Sequence, residues 1–126
     1  VRRALIALAA ASIWAGPAAD RVLAAPAPRS PDQRQTLIDL AYVLGEVHAL
    51  RAACQGAEDQ AWRSRMSRML EIEQPDAAFR RRLVDTFNTG FAVRQADTPT
   101  CRPDTAAQER AAAVRGRALA QRLAAP

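Results

Sequence analysis

His48 is the only histidine of the chain, and its neighbours Glu46 and Arg51 lie within one helical turn of it. A lone imidazole beside a carboxylate is the smallest set that could take a proton as a general base, or switch charge near neutral pH. Glu46 or Asp85 would be its carboxylate partner in a small hydrolase-like enzyme. The structural alternative is a partly buried histidine hydrogen-bonded to a neighbouring helix. Cys54 and Cys101 are the only cysteines. One His and no CxxC spacing make a poor metal-ligand set, so no metal or other cofactor is expected. No catalytic residue is assigned on this basis.

Other side chains suit recognition better than catalysis. Tyr42 shares a helical face with Glu46 and is either a polar-tipped core residue or part of a contact surface. Trp62 sits at a spacing typical of a core aromatic. Asn88 is a poor mid-helix residue, so it is expected either as a buried amide or as a group that recognises a partner. Arg80, Arg81 and Arg82 form a run able to face an anionic polymer or an acidic protein surface, or to form a solvated face. The candidate binding surface is therefore Tyr42, Glu46, His48, Arg51, Trp62, Arg81 and Asn88. Local ion pairs are expected between Arg80 and Asp76, and between Arg63, Arg65 or Arg68 and the acids Asp59, Glu71 and Glu73.

The elements that must carry these residues are helices. The 126 residues include 18 basic side chains, all arginine, and 30 alanines, against five glycines and six aromatics. That length suits one domain, and the balance favours helices over a sandwich of strands. Ser30-Pro31-Asp32-Gln33 is a helix start, with Ser30 and Gln33 as a capping box and Pro31 at the first helical position. This helix is expected to run to Cys54, with Gly56 just past its end and a wide buried face containing Leu37, Leu40, Leu44 and Val47. A second helix is expected over Glu58–Glu73, with Trp62, Met66, Met69 and Leu70 inward, ended by Pro75. A third, capped by Asp76, carries Phe79, Leu83, Phe87 and Phe91; either Gly90 ends it as a C′ residue or, as the spacing favours, it crosses Gly90 to about Gln95. A fourth runs from Pro103 or Asp104 to Leu123 on a seam of Ala107, Ala111, Val114, Ala118 and Leu119. The fold class is all-α, a compact bundle of four helices.

The N-terminal stretch has another character. Arg2 and Arg3 precede the small and apolar run Ala4–Ala15, Gly16-Pro17 breaks it, and Val22-Leu23-Ala24 offers a cleavage pattern. These are the parts of a secretory signal peptide over residues 1–24. The run falls short of the ~20 residues of a membrane span. Residues 25–29 then form a Pro/Ala tether, and 30–126 the helical domain. Cleavage would remove three arginines and one aspartate, leaving 102 residues and lowering the formal charge from +5 to +3. Export and that modest charge argue against nucleic acid as the partner. In an oxidising compartment two cysteines imply one disulfide. Its closure over 47 positions is worth about 4 kcal/mol in the loop-entropy model. It also requires the end of the first helix to lie beside the start of the fourth.

The segment YVLGEVHALRAAC at Tyr42–Cys54, the DQAWR at Asp59–Arg63 and the FNTGF at Phe87–Phe91 are distinctive. Together they resemble a family of small, exported, functionally uncharacterised alphaproteobacterial proteins, over about residues 37–102 and including both cysteines. The resemblance implies a Gram-negative periplasm and brings no activity with it. The functional expectation is a periplasmic helical binding or adaptor module of the cell envelope. Its partner would be a peptidoglycan-remodelling enzyme or another envelope protein. The alternatives are the His48 enzyme and a structural or stress-protective protein without a discrete site.

Overall fold

A computed structural model describes residues 27–125. The expected signal peptide and the first residues of the expected tether lie outside the described residues. Four helices, and no strand among the described residues, follow one another as α1 (Pro31–Gln55), α2 (Ala61–Glu73), α3 (Ala77–Asp97) and α4 (Thr105–Ala124). The all-α bundle expected from composition and periodicity is the observed fold.

Local chemistry sets most helix ends. The Ser30 hydroxyl accepts from the Gln33 backbone N–H, and the Gln33 side chain accepts from the Ser30 N–H, so the capping box forms. Gly56 closes α1 at φ 92°, ψ 164°, a region open essentially to glycine alone. Asp76 caps α3 by accepting from the Phe79 N–H at 2.9 Å. The start of α2 differs from expectation by three residues. Asp59 is used before the helix begins: one carboxylate oxygen takes Arg51 and the other accepts from the Ala61 N–H. Glu58 and Asp59 therefore belong to the turn and not to the first turn of α2.

All the extensive helix contacts involve α1, which packs most against α3, then α4, then α2. The other three helices surround it, with α3 parallel to it and α2 and α4 antiparallel. This explains why α1 is buried around nearly its whole circumference from Leu40 to Leu50, wider than the face expected for it. Leu37, Leu40, Ala41 and Leu44 meet Phe79, Leu83 and Phe87 of α3 and Met66 and Leu70 of α2 in the main core. Val43, Val47 and Leu50 meet Ala112 of α4 in a second cluster.

The closest crossing is α1 on α3, where two glycines lie opposite each other's backbone. A methyl group on Gly45 would overlap the Phe87 carbonyl, and one on Gly90 would overlap the Tyr42 carbonyl. Helix α3 thus continues through Gly90, as its aromatic spacing predicts, because the glycine serves contact and not termination.

Of the seam expected on α4, Leu119 packs against both core clusters, whereas Ala107, Ala111, Val114 and Ala118 are exposed. Thr105, Ala112, Gly116 and Leu123 are buried, whereas Val114 is 64% exposed. The helix is rotated by about one residue, ~100°, relative to the Ala111–Ala118 seam. In a helix this rich in alanine, apolarity does not distinguish faces, and Gly116 marks the approach to Val43 and Leu40. Those contacts leave ordinary van der Waals room for a methyl group at Gly116, 3.4 Å from Val43 Cγ1. Gly116→Ala is therefore expected to stabilise the protein by about 0.5–1 kcal/mol through helix propensity and unfolded-chain entropy, as a rise in the denaturation midpoint.

Cys54 and Cys101 form the expected disulfide, with Cα atoms 4.6 Å apart. It ties the C-terminal end of α1 to the loop that precedes α4. Among the described residues, no helix is long and apolar enough to cross a membrane.

Candidate functional site

The side chains singled out by sequence do not converge on one surface. Glu46 is buried where three helices meet. Arg94 of α3 donates to its Oε1 at 2.6 Å and Arg115 of α4 donates to its Oε2 at 2.8 Å. A carboxylate shared by two guanidinium groups is an internal clamp, fixing α3 and α4 on α1.

His48 points elsewhere. It is 3% exposed, stacks on Phe87 at a ring-centroid distance of 5.8 Å and meets the tilted Phe91 ring at 5.2 Å. Its Nδ1 is buried without a hydrogen-bond partner among the described residues, so the bond to a neighbouring helix foreseen for it does not form at that nitrogen. It borders a cavity of about 250 Å3 shared with Ala52, Gln60, Arg63, Gln95 and Thr98. Neither expected carboxylate partner faces it, since Glu46 is held by its arginines and Asp85 lines a depression beside Tyr42. Burial lowers the His48 pKa below its ordinary value, Arg63 pushes the same way and Asp59 opposes. The unfolded chain therefore binds the proton more readily than the folded one. Stability from this group is complete above about pH 6.5 and is lost as pH falls from there toward the lowered folded-state value. Denaturation at several pH values should show a steeper loss below neutrality for the wild type than for His48→Phe, which keeps a stacking ring and removes the titration.

Tyr42 is half-buried and shares with Arg81, Arg82 and Asp85 an open depression of about 420 Å3. Asn88 is exposed, which removes the buried-amide reading. Arg80 reaches toward the Leu70 carbonyl, and Asp76 faces Arg34 at 3.7 Å, so the expected Arg80–Asp76 pair is absent. Asp59 and Glu73 are likewise taken by Arg51 and Arg29 and not by the arginines of α2.

Arg51 and Trp62 do come together, through a residue that sequence reasoning missed. Glu109 of α4 accepts from the Trp62 indole N–H at 3.3 Å and from Arg51 at 3.4 Å. This contact bridges α2 and α4 at one end. A second bridge joins the same helices at the other end. Arg29 donates to both carboxylate oxygens of Glu73, at 2.7 and 2.8 Å, and to the Leu123 carbonyl at 3.0 Å. Only the need of a half-buried indole N–H for a partner hinted at the first. The second joins residues 44 and 94 positions apart, beyond any local signal.

Between these straps α2 and α4 stand apart. They leave a cleft of about 500 Å3 floored by Leu40, Val43, Leu44 and Val47 of α1 and walled by Trp62, Met69, Ala113, Gly116 and Ala120. It continues past Met69 and Ala120 into a region of about 400 Å3 that reaches Leu37, Ile72 and Leu123. Arg65, Arg68 and Arg117 form its rim. Arg65 lies over the Trp62 ring at 4.6 Å, and among the described residues none of the three has a carboxylate within ion-pair distance. The one acid bordering the cleft, Glu73, is neutralised by Arg29. An apolar floor with a few convergent charges at the mouth has the character of a ligand site. Among the described residues, no group of three His, Cys, Asp or Glu side chains is placed to hold a metal ion.

A family model described as a protein of unknown function, DUF2385, matches residues 32–126. No curated protein and no solved structure matches the chain.

Proposed function

Because the chain belongs to the DUF2385 family, whose description gives no activity, we propose a role from its own geometry: a binding module of the cell envelope that recognises an apolar, anionic group in the cleft between α2 and α4. The observation that carries this reading is the pairing of an apolar floor with arginines that have no internal counter-charge. Arg29, Arg51, Arg94 and Arg115 hold carboxylates, whereas Arg63, Arg80, Arg81, Arg82, Arg110 and Arg122 have none within ion-pair distance among the described residues. It is therefore the apolar floor beneath Arg65, Arg68 and Arg117 that distinguishes the cleft. An exported, periplasmic setting is supported by the signal-like run Ala4–Ala15 and by the disulfide, since disulfides persist in oxidising compartments. In that setting the recognised group belongs to a peptidoglycan-associated enzyme or another envelope component.

The test is crosslinking in the envelope followed by recovery of the tagged protein. Ala120 is exposed and borders both parts of the cleft, so Ala120→Trp fills it with little demand on the core. The expected result is a defined adduct with the wild type and with Arg81→Glu, lost with Ala120→Trp. The same adducts from all three proteins, or loss with Arg81→Glu alone, would move recognition away from the cleft.

A further inference from the structure

We propose that the cleft between α2 and α4 takes a single linear acyl chain with an anionic head, the chain lying along α1 and the head at Arg65 and Arg117. The inference rests on the binding role proposed above and names its ligand class.

The limited exposure of the cleft floor favours a slender ligand. Although α2 and α4 are apart between their two straps, Leu40, Val43 and Leu44 on its floor are only 7–8% exposed and Val47 is fully covered. A floor so largely covered offers no broad apolar face for a helix of about 10–12 Å diameter, and a slender chain suits the free volume of about 500 Å3 better. Its length is also suitable. The floor from Leu37 to Val47 spans about 15 Å at the helical rise of 1.5 Å per residue. An extended alkyl chain advances about 1.3 Å per carbon from ordinary bond lengths, so roughly a dozen carbons fill it.

The walls fit the same ligand. Met69 is flexible and polarisable and adapts to an apolar chain, while Ala113, Gly116 and Ala120 on α4 keep the opposite wall low. At the mouth, Arg65 and Arg117 present guanidinium groups suited to carboxylate or phosphate oxygens. Arg65 is steadied over Trp62. The straps Arg29–Glu73 and Trp62–Glu109 close the ends, which limits the chain length and disfavours a second chain.

The experiment is calorimetric titration of the full chain with dodecanoate and with dodecyl phosphate, below their micellar concentrations, against dodecyltrimethylammonium as a cationic control. Saturable binding of one anionic amphiphile per protein is expected, with no binding of the cationic one. Dodecanoate alone would assign a fatty-acid head and dodecyl phosphate alone a phospholipid-type head; either supports the proposal. Ala120→Trp should abolish binding. Arg65→Glu together with Arg117→Glu should raise Kd at least about tenfold, a change of about 1.4 kcal/mol, in protein whose helical circular dichroism and melting match the wild type. Equal binding of the cationic amphiphile, indifference to Ala120→Trp, or no binding of either anion would overturn it. A cleft-dependent protein adduct in the envelope, recovered alongside no amphiphile binding, would overturn the acyl ligand and leave the binding role standing.

Discussion

Gly45→Ala is expected to destabilise the protein by about 3 kcal/mol, at the upper end of the range for overpacked positions. The reason is the identity of the atoms in the way. A methyl group on Gly45 meets the Phe87 carbonyl and the Phe91 backbone N–H, and one on Gly90 meets the Tyr42 backbone. Side chains at a tight contact swing aside at modest cost, but a helix backbone yields only if the whole helix moves. Displacing α3 from α1 would loosen the largest interface of the fold. It would also loosen the Arg94–Glu46 contact and the packing of His48 against Phe87 and Phe91. The gain in helix propensity, about 1 kcal/mol for Gly to Ala, is too small to reverse the sign. For a domain near 100 residues the melting temperature should fall by roughly 10–20 °C. Gly90→Ala should behave alike, and the double variant should lose less than the sum, because one displacement relieves both overlaps. Urea denaturation of the three variants, with Gly116→Ala as the oppositely signed control, checks this. A change below about 1 kcal/mol at Gly45 would show that the helices are not in backbone contact.

Loss of the disulfide is expected to cost about 4 kcal/mol in the loop-entropy model. Cys54 and Cys101 lie 47 positions apart, so the cross-link removes a large share of the unfolded chain's freedom. The closed loop contains all of α2 and α3, the two helices joined to α1 by the 56–60 and 74–76 turns. In the folded state the bridge holds the α1 terminus against the segment leading into α4. The buried Thr105 also supports this segment, its hydroxyl accepting from the Arg102 N–H at 2.9 Å. Cys54→Ser and Cys101→Ser should lower stability alike, and so should reduction of the wild type. Reductant should have no further effect on either variant. A reductant effect that persists in the variants would point to a cause other than this bridge.

The parts of the fold legible in the sequence are those set by neighbours along the chain. Ser30 and Gln33 cap α1 because both groups lie within one turn. Asp76 caps α3 for the same reason, and the four-residue recurrence of Phe79, Leu83 and Phe87 places α3 on the core. The disulfide was also legible, since two cysteines in a chain with a signal-like N-terminal run are expected to pair with each other. What escaped depends on distances between helices. The α4 seam could not be read from alanine content, because alanines lie on every side of that helix and only Ala112 among them is buried. Glu46 looked like a surface carboxylate until Arg94 and Arg115 arrived from two other helices. The cleft is the clearest case. Arg65, Met69 and Trp62 on α2, and Ala113 and Ala120 on α4, are unremarkable in their own helices. They form a site only because Arg29 and Glu109 hold α2 and α4 at a fixed separation. His48, the residue that most invited a chemical reading, lies instead in an aromatic stack apart from that cleft.

The claim that recognition occurs between α2 and α4 is tested most directly by site-specific photo-crosslinking in the intact envelope. A photoreactive residue at Arg68, on the rim of the cleft, is compared with one at Asn88, on the exposed face of α3. A discrete crosslinked product is expected from position 68, competed by dodecanoate, and none from position 88. A product from position 88 with none from position 68 would contradict it.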